Sequence, residues 1–310
     1  VAEGLTIGHR EDPRQTAAKR STTLELLARE GVVEVTRQRI RAGKVFYLDA
    51  ASEWTGFEFL YVLAGVVELK RGREEVLLHP GDYAHHHGLS ERAYFHVRED
   101  TELLMVASPP SFQLMRGEIE DMMALARAVE EKDSATEGHC QRIERLGLAT
   151  AERLGLCGDR LVALSYAAYL HDIGKVSISD QILNKPGPLT HDEWKEMRKH
   201  PGYGAKILAK KDFLKSASEI VLAHHERYDG TGYPSGLRGE EIPLEARILA
   251  VVDAYDAMSS TRPYRATLPP ARAREEIARN AGTQFDPRAV QGFLSVLTDL
   301  DDETIGTRAA

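Results

Sequence analysis

Apolar and polar positions follow two different periods along this chain. In the first third the apolar residues fall in short β-prone runs, Gly31 to Ile40, Lys44 to Leu48, Phe57 to Leu63, Val66 to Lys70, Glu75 to Leu78 and Leu103 to Ala107. Glycine and proline turns separate them, a spacing that predicts a small β-barrel from about Thr23 to Ser108. Further on the period becomes helical, and Gly117 to Glu131, Gly138 to Leu156, Leu161 to Asp172 and Ala271 to Asn280 predict helices. Thr190 followed by Glu193 reads as a capping box, starting another helix with His191 exposed. Between the two regions Met115, Ile119, Met122, Ala126 and Val129 form a heptad-like stripe. That stripe fits either an amphipathic helix packed on its own domain or a signalling helix in a homodimer. The expected organisation is a multidomain α and β chain: an N-terminal tail (1–22), a β-barrel (23–108), a linker helix (109–132) and an all-α domain (133–310).

At 310 residues the chain exceeds one usual hydrophobic core, in keeping with two domains. Its longest apolar run, Leu161 to Leu170, is too short to span a bilayer, so no membrane segment is expected. No signal peptide is recognised ahead of the first predicted strand. Cys140 and Cys157 have no ligand spacing, which fits ordinary thiols in a reducing cytoplasm. The formal charge of −8 argues against nonspecific nucleic-acid binding, yet is compatible with a small anionic substrate held by local charges.

The chemistry concentrates in the helical region. His224 and His225 directly follow the apolar run Ile220 to Ala223, and imidazole is costly to bury unless a metal or hydrogen bonds satisfy its nitrogens. His139, His171, Asp172, His200 and Asp253 likewise fall within or at the edge of predicted helices. Five imidazoles and two carboxylates suffice for two first-row metal ions sharing one carboxylate, with open positions left over. Asp172 is the expected bridge, because a carboxylate can use both oxygens while a histidine nitrogen binds one ion. The expected division places His139, His171 and Asp253 on one ion, and His200, His224 and His225 on the other. Ligands without thiolate suit iron, manganese, nickel, cobalt or zinc.

An ordered set of motifs runs from about Asp133 to Asp286. It comprises Gly138-His139-x-x-Arg142, His171-Asp172-x-Gly174-Lys175, Lys199-His200-Pro201-x-x-Gly204, His224-His225-Glu226-x-x-x-Gly230-x-Gly232-Tyr233-Pro234, Asp253-x-x-Asp256-Ala257-Met258 and Arg262-Pro263-Tyr264-Arg265, followed by Ala281 to Pro287. This set resembles the HD-GYP family, bacterial phosphodiesterases of the HD superfamily that hydrolyse cyclic di-GMP. The resemblance implies cleavage to pGpG, with onward hydrolysis to GMP left open, by metal-activated hydroxide, with iron or manganese as the metal. Lys175 would offer a point charge to a phosphate oxygen, and the forked Arg262 and Arg265 would clamp the second phosphate. Gly232, Tyr233 and Pro234 would form a stiff loop with Tyr233 facing a guanine, and Asp256 is counted among the substrate contacts. The same loop is implied to contact diguanylate cyclase domains. Members with three metals carry a glutamate one turn before the first ligand histidine. Ala135 stands there and Glu137 points elsewhere on a helix, so a two-metal site is expected. The alternatives are another cyclic dinucleotide, such as cyclic GMP-AMP, and a non-catalytic scaffold, which the complete ligand set disfavours.

In the first third, Glu58-Phe59-Leu60-Tyr61-Val62-Leu63-x-Gly65 and Leu78-His79-Pro80-Gly81-Asp82 resemble the two conserved stretches of the cupin family. The resemblance implies a barrel whose interior takes a small-molecule effector and acts as a sensor. Glu53 to Phe57 lacks the family's His-x-His pair, so a catalytic metal is not expected there. Within His85-His86-His87, strand alternation lets at most His85 and His87 point inward together, with His79 and His96 as possible neighbours.

Overall fold

Ten strands carry the alternating region: β1 (Gln15–Lys19), β2 (Thr22–Glu30), β3 (Val33–Ile40), β4 (Val45–Leu48), β5 (Phe57–Ala64), β6 (Val67–Arg71), β7 (Glu74–Leu78), β8 (Tyr83–His87), β9 (Ala93–Val97) and β10 (Thr101–Ser108). The computed structural model describes residues 6–9, 13–19, 21–50, 55–71, 74–132, 138–260 and 267–308. The chain divides into two units, Val1–Ala124 and Leu125–Ala310. Among the described residues the strands make two antiparallel sheets, ordered β1-β2-β3-β10-β5-β8 and β4-β9-β6-β7.

Pleating decides which side chains enter the core of this first unit. On β10 every second residue is buried, and Leu103 and Met105 meet Leu60 and Val62 of β5, Phe95 and Val97 of β9, and Ile40, Leu48 and Val67. Phe46 stacks on Phe95 with ring centroids 4.9 Å apart. β1 lies within the expected tail. It is a weak strand by sequence, held by its pairing with β2 from Gln15↔Leu26 to Lys19↔Thr22. The histidine run also corrects the expectation, since His86 is buried while His85 and His87 are exposed. The β5–β8 register sets Glu58 opposite His86, and their side chains meet at 3.0 Å. Burial pushes the Glu58 carboxyl above its ordinary range, against the pull of His86. His96 is buried and His79 exposed.

Helix α1 (Phe112–Lys132) starts on this unit. The buried Glu34 of β3 accepts the backbone N–H groups of Ser111 and Phe112 at 2.5 and 2.6 Å. A carboxylate at that point satisfies donors that have no partner inside the helix and complements its positive end. Phe112, Met115 and Ile119 pack on Leu24 and Leu26 of β2. Two positions of the heptad-like stripe are therefore engaged with their own sheet rather than left for a coiled-coil partner.

The second unit contains α2 (His139–Arg153), α3 (Asp159–Leu170), α4 (Asp180–Leu183), α5 (His191–Met197), α6 (His200–Leu208), α7 (Lys215–Ala223), α8 (Leu244–Ser259), α9 (Pro270–Arg279) and α10 (Pro287–Arg308). α2 packs on α3, α8 and α10, while α6 packs on α7. Thr190 and Glu193 form the capping box that opens α5. α3 stops at Leu170 instead of running through Asp172, and a 3-10 turn over Ile173–Ser177 follows. No helix among the described residues is long and apolar enough to cross a membrane.

Glu34→Ala should lower the stability of the first unit by about 1–3 kcal/mol, because it strands the buried N–H of Phe112 and the partly buried N–H of Ser111. Urea unfolding of the full chain, followed by tryptophan-independent circular dichroism, checks this; an unchanged first transition would contradict the capping role.

Candidate metal centre

Helix ends converge on one point of the second unit. His139 is the first residue of α2, His171 and Asp172 sit where α3 gives way to the 3-10 turn, His200 opens α6, and His224 and His225 follow the end of α7. Asp253 and Asp256 lie one turn apart on α8. Gly174 permits the closest approach, because a Cβ there would overlap the His200 carbonyl oxygen and the Gly204 amide nitrogen. With no side chain at Gly174, α6 seats directly on the 3-10 turn, and His200 Nε2 comes within 3.5 Å of Asp172 Oδ1.

Three imidazoles are oriented in the same way. His171 Nδ1 lies 3.0 Å from the Ala168 carbonyl, His200 Nδ1 2.8 Å from that of Met197, and His224 Nδ1 2.6 Å from that of Val221. A carbonyl only accepts, so in each ring Nδ1 is the donor, and in the neutral form of the ring Nε2 is left with a lone pair. All three Nε2 atoms are buried without a hydrogen-bond partner. Such atoms are costly unless something electron-poor meets them.

The donors fall into two groups, His139 with His171 and Asp253, and His200 with His224 and His225, each with ligand atoms within 4.8 Å of one another. Asp172 lies between them, with Oδ2 3.4 Å from His171 Nε2 and Oδ1 facing His200. Nitrogen and carboxylate donors in this arrangement fit two divalent first-row ions sharing a carboxylate.

Electrostatics agree with that fit. Burial opposes protonation of His171, but the Asp172 and Asp253 carboxylates outweigh it and raise the imidazole to about 9. Negative charge here thus demands a positive partner, which a divalent cation supplies in place of the proton. Although burial opposes it, Lys175 and His171 hold Asp172 ionised well below the usual carboxylate range. His200 and His224 are pushed down chiefly by burial, and His225 falls to about 4 through burial and its neighbour His200. Those three rings are therefore neutral and able to coordinate at neutral pH.

Around the ligands, Asp256 takes a role different from the expected substrate contact. It is buried, its Oδ2 meets His139 Nδ1 at 2.6 Å, and both of its oxygens accept from Arg142, at 2.6 and 3.0 Å. With both oxygens engaged, Asp256 fixes the orientation of the His139 ring. Burial works against its ionisation, yet His139 and Arg142 hold the carboxyl at about 2. Sequence reading gave Arg142 no role. The signal was the matched spacing, three residues after His139 on one helix and Asp256 three after Asp253 on the other.

Lys175 Nζ lies 2.8 Å from Asp172 Oδ2, beside the shared carboxylate. In the loop after α7, the buried Glu226 accepts the N–H groups of Ser235 and Gly236 at 2.7 and 3.1 Å, another role that sequence reading missed. A Cβ at Gly232 would overlap the backbone of Glu226 and Arg227, so the loop folds back tightly on the His225 segment. The Tyr233 ring lies 5.0 Å from that of His225, and the Arg198 guanidinium lies over it at 5.4 Å. Burial and the charge of Asp172 push the Tyr233 hydroxyl up to about 12. Pro234, at the end of the Gly232–Pro234 stretch, is exposed. Cys140 and Cys157 are free thiols. Arg262, Arg265, Ala135 and Glu137 lie outside the described residues.

Comparison with known sequences agrees with this centre. The profile of the HD domain matches residues 123–289, and the chain belongs to the HD domain family. It is 44% identical over 179 residues to the cyclic di-GMP phosphodiesterase response regulator RpfG of Xanthomonas campestris pv. campestris, covering 57% of this chain and 47% of that protein. It is 39% identical over 188 residues to the 3'3'-cGAMP-specific phosphodiesterase 2 of Vibrio cholerae serotype O1, covering 60% of this chain and 35% of the relative. The chain thus spans about half the length of these relatives or less. A solved RmlC-like cupin from Shewanella frigidimarina is 11% identical with a TM-score of 0.30, covering 34% of this chain and 93% of that one.

Asp256→Asn should weaken metal binding at the group containing His139 by about 10- to 100-fold, the usual effect of losing a partner that orients a ligand. Metal titration with elemental analysis checks it, and unaltered affinity would remove Asp256 from that role. Gly174→Ala should displace α6, cost about 1–3 kcal/mol by overpacking, and lower the metal content of both groups; full metal loading in this variant would show that the close approach is dispensable.

Proposed function

We propose that this chain is a metal-dependent phosphodiesterase that hydrolyses cyclic di-GMP to pGpG. The observation that carries the reading is the pair of donor groups on either side of Asp172, with the Lys175 ammonium alongside. His139, His171 and Asp253 would hold one divalent ion, His200, His224 and His225 the other, and Asp172 both. Iron or manganese is the expected metal, and two ions are expected because Ala135 cannot coordinate. When bound, such ions supply Lewis acidity and a nucleophile usable near neutral pH.

The chain's own residues prepare the site for an anion. Lys175 carries a charge beside the shared carboxylate, within reach of a phosphate oxygen bound there. Tyr233, with its hydroxyl raised to about 12, stays protonated at neutral pH and can donate a hydrogen bond. Glu226 holds the Gly232–Pro234 loop against the His225 side. Arg262 and Arg265 would grip the second phosphate. The β-rich unit would bind a small effector and regulate turnover in a cytoplasmic homodimer, and the Gly232–Pro234 loop would contact a diguanylate cyclase domain. A second reading is hydrolysis of 3'3'-cGAMP, since a relative named for that substrate matches over the same share of the chain.

Protein loaded anaerobically with iron or manganese should convert cyclic di-GMP to pGpG, and Asp172→Ala should lower turnover at least about 100-fold. Chromatographic separation of products from cyclic di-GMP and 3'3'-cGAMP, run in parallel, decides the matter. Faster turnover of cGAMP selects the second reading, and no turnover of either with either metal rejects both.

A further inference from the structure

Arg198 has no place in the functions assigned above. It is the residue that ends α5, it is exposed, and its recorded contact is the Tyr233 ring. Neighbouring arginines are neutralised by carboxylates: Arg142 by Asp256, Arg227 by Asp229 and Arg247 by Asp286. Among the described residues Arg198 has no carboxylate partner, and the side chain is exposed, so its forked donors are not consumed by an ion pair there. Tyr233 is itself 5.0 Å from His225, which puts Arg198 one aromatic ring out from the ligand groups. One turn earlier in the chain, at the i, i+4 spacing that shares a helix face, Trp194 leaves 47% of its surface exposed and offers a flat aromatic face for stacking.

We propose that Arg198, seated on Tyr233, with Trp194 one helical turn before it, recognises a guanine base of the substrate and sets the base preference of the enzyme; this rests on the phosphodiesterase reading above. A guanidinium fork matches the two acceptors, O6 and N7, on the open edge of guanine. Adenine presents an amino group at the same edge, which meets those donors unfavourably. Lysine retains the charge but not the fork.

The test compares the metal-loaded full chain with Arg198→Lys and Trp194→Ala on cyclic di-GMP, cyclic di-AMP and the baseless diester bis(p-nitrophenyl) phosphate. Arg198→Lys should raise KM for cyclic di-GMP about tenfold or more, with kcat affected much less, and narrow the preference for cyclic di-GMP over cyclic di-AMP by a similar factor. The loss on the baseless diester should be smaller by about an order of magnitude. Trp194→Ala should raise KM for both cyclic dinucleotides. Unchanged KM and base preference in Arg198→Lys overturns the proposal, as does an equal loss on all three substrates, which would place Arg198 at the metals. If the wild-type chain turns over no cyclic dinucleotide, the phosphodiesterase reading fails by itself. Calorimetric binding of cyclic di-GMP to wild type and Arg198→Lys then decides whether Arg198 still reads guanine, weaker binding in the variant supporting it and equal binding rejecting it.

Discussion

Asp172 is the point on which the helical unit turns. Its two oxygens face one histidine from each donor group, and its charge, with that of Asp253, raises the buried His171 imidazole against the cost of burial. Imidazole nitrogens without partners are a liability in a core, and three of them point at this region. Carbonyls from the preceding helical turns hold each Nδ1, fixing the rings before any ion arrives. Preorganised ligands of this kind couple ion binding to folding, since the arrangement exists only when five separate chain segments are in place.

The supporting structure explains how such distant segments meet. Gly174 and Gly204 remove the side chains that would keep α6 from the turn after α3. Asp256 and Arg142 tie α8 to α2 behind His139, so that the outer pair is as specific in geometry as the ligand it positions. On the open side, Glu226 pins the tyrosine-bearing loop, leaving Tyr233 between His225 and Arg198, which has no carboxylate partner among the described residues. Rigid helix ends on one side and a pinned loop on the other set the Lys175 ammonium beside a cluster of carboxylates and imidazoles in a chain whose net charge is negative. Local placement of charge, not the overall balance, decides what binds there.

The β-rich unit uses the same economy of polar groups differently. Glu58 and His86 are buried as a pair, and Glu34 is buried to serve two backbone donors at the start of α1. Both are carboxylates held where water is scarce, each with a defined partner, as a closed core requires.

Much of the centre was legible from the chain itself. Histidines beside apolar runs, the Thr190–Glu193 box and the change of period between strands and helices are signals that act over a few residues, so they survive without a structure. Counting ligand types gave enough donors for two ions, and the structure brings His139, His171 and Asp253 together and His200, His224 and His225 together. What the tertiary structure alone decided were matters of direction. His86 rather than its neighbours turns inward because the register with β5 fixes the pleat, and β1 is a strand only because β2 pairs with it. Asp256 faces Arg142 and His139, and Arg198 reaches Tyr233 from the end of a helix more than thirty residues away in sequence. Each depends on partners far along the chain. Periodicity and composition report which residue types are present and how they alternate, whereas the direction a polar atom faces is set by packing across elements.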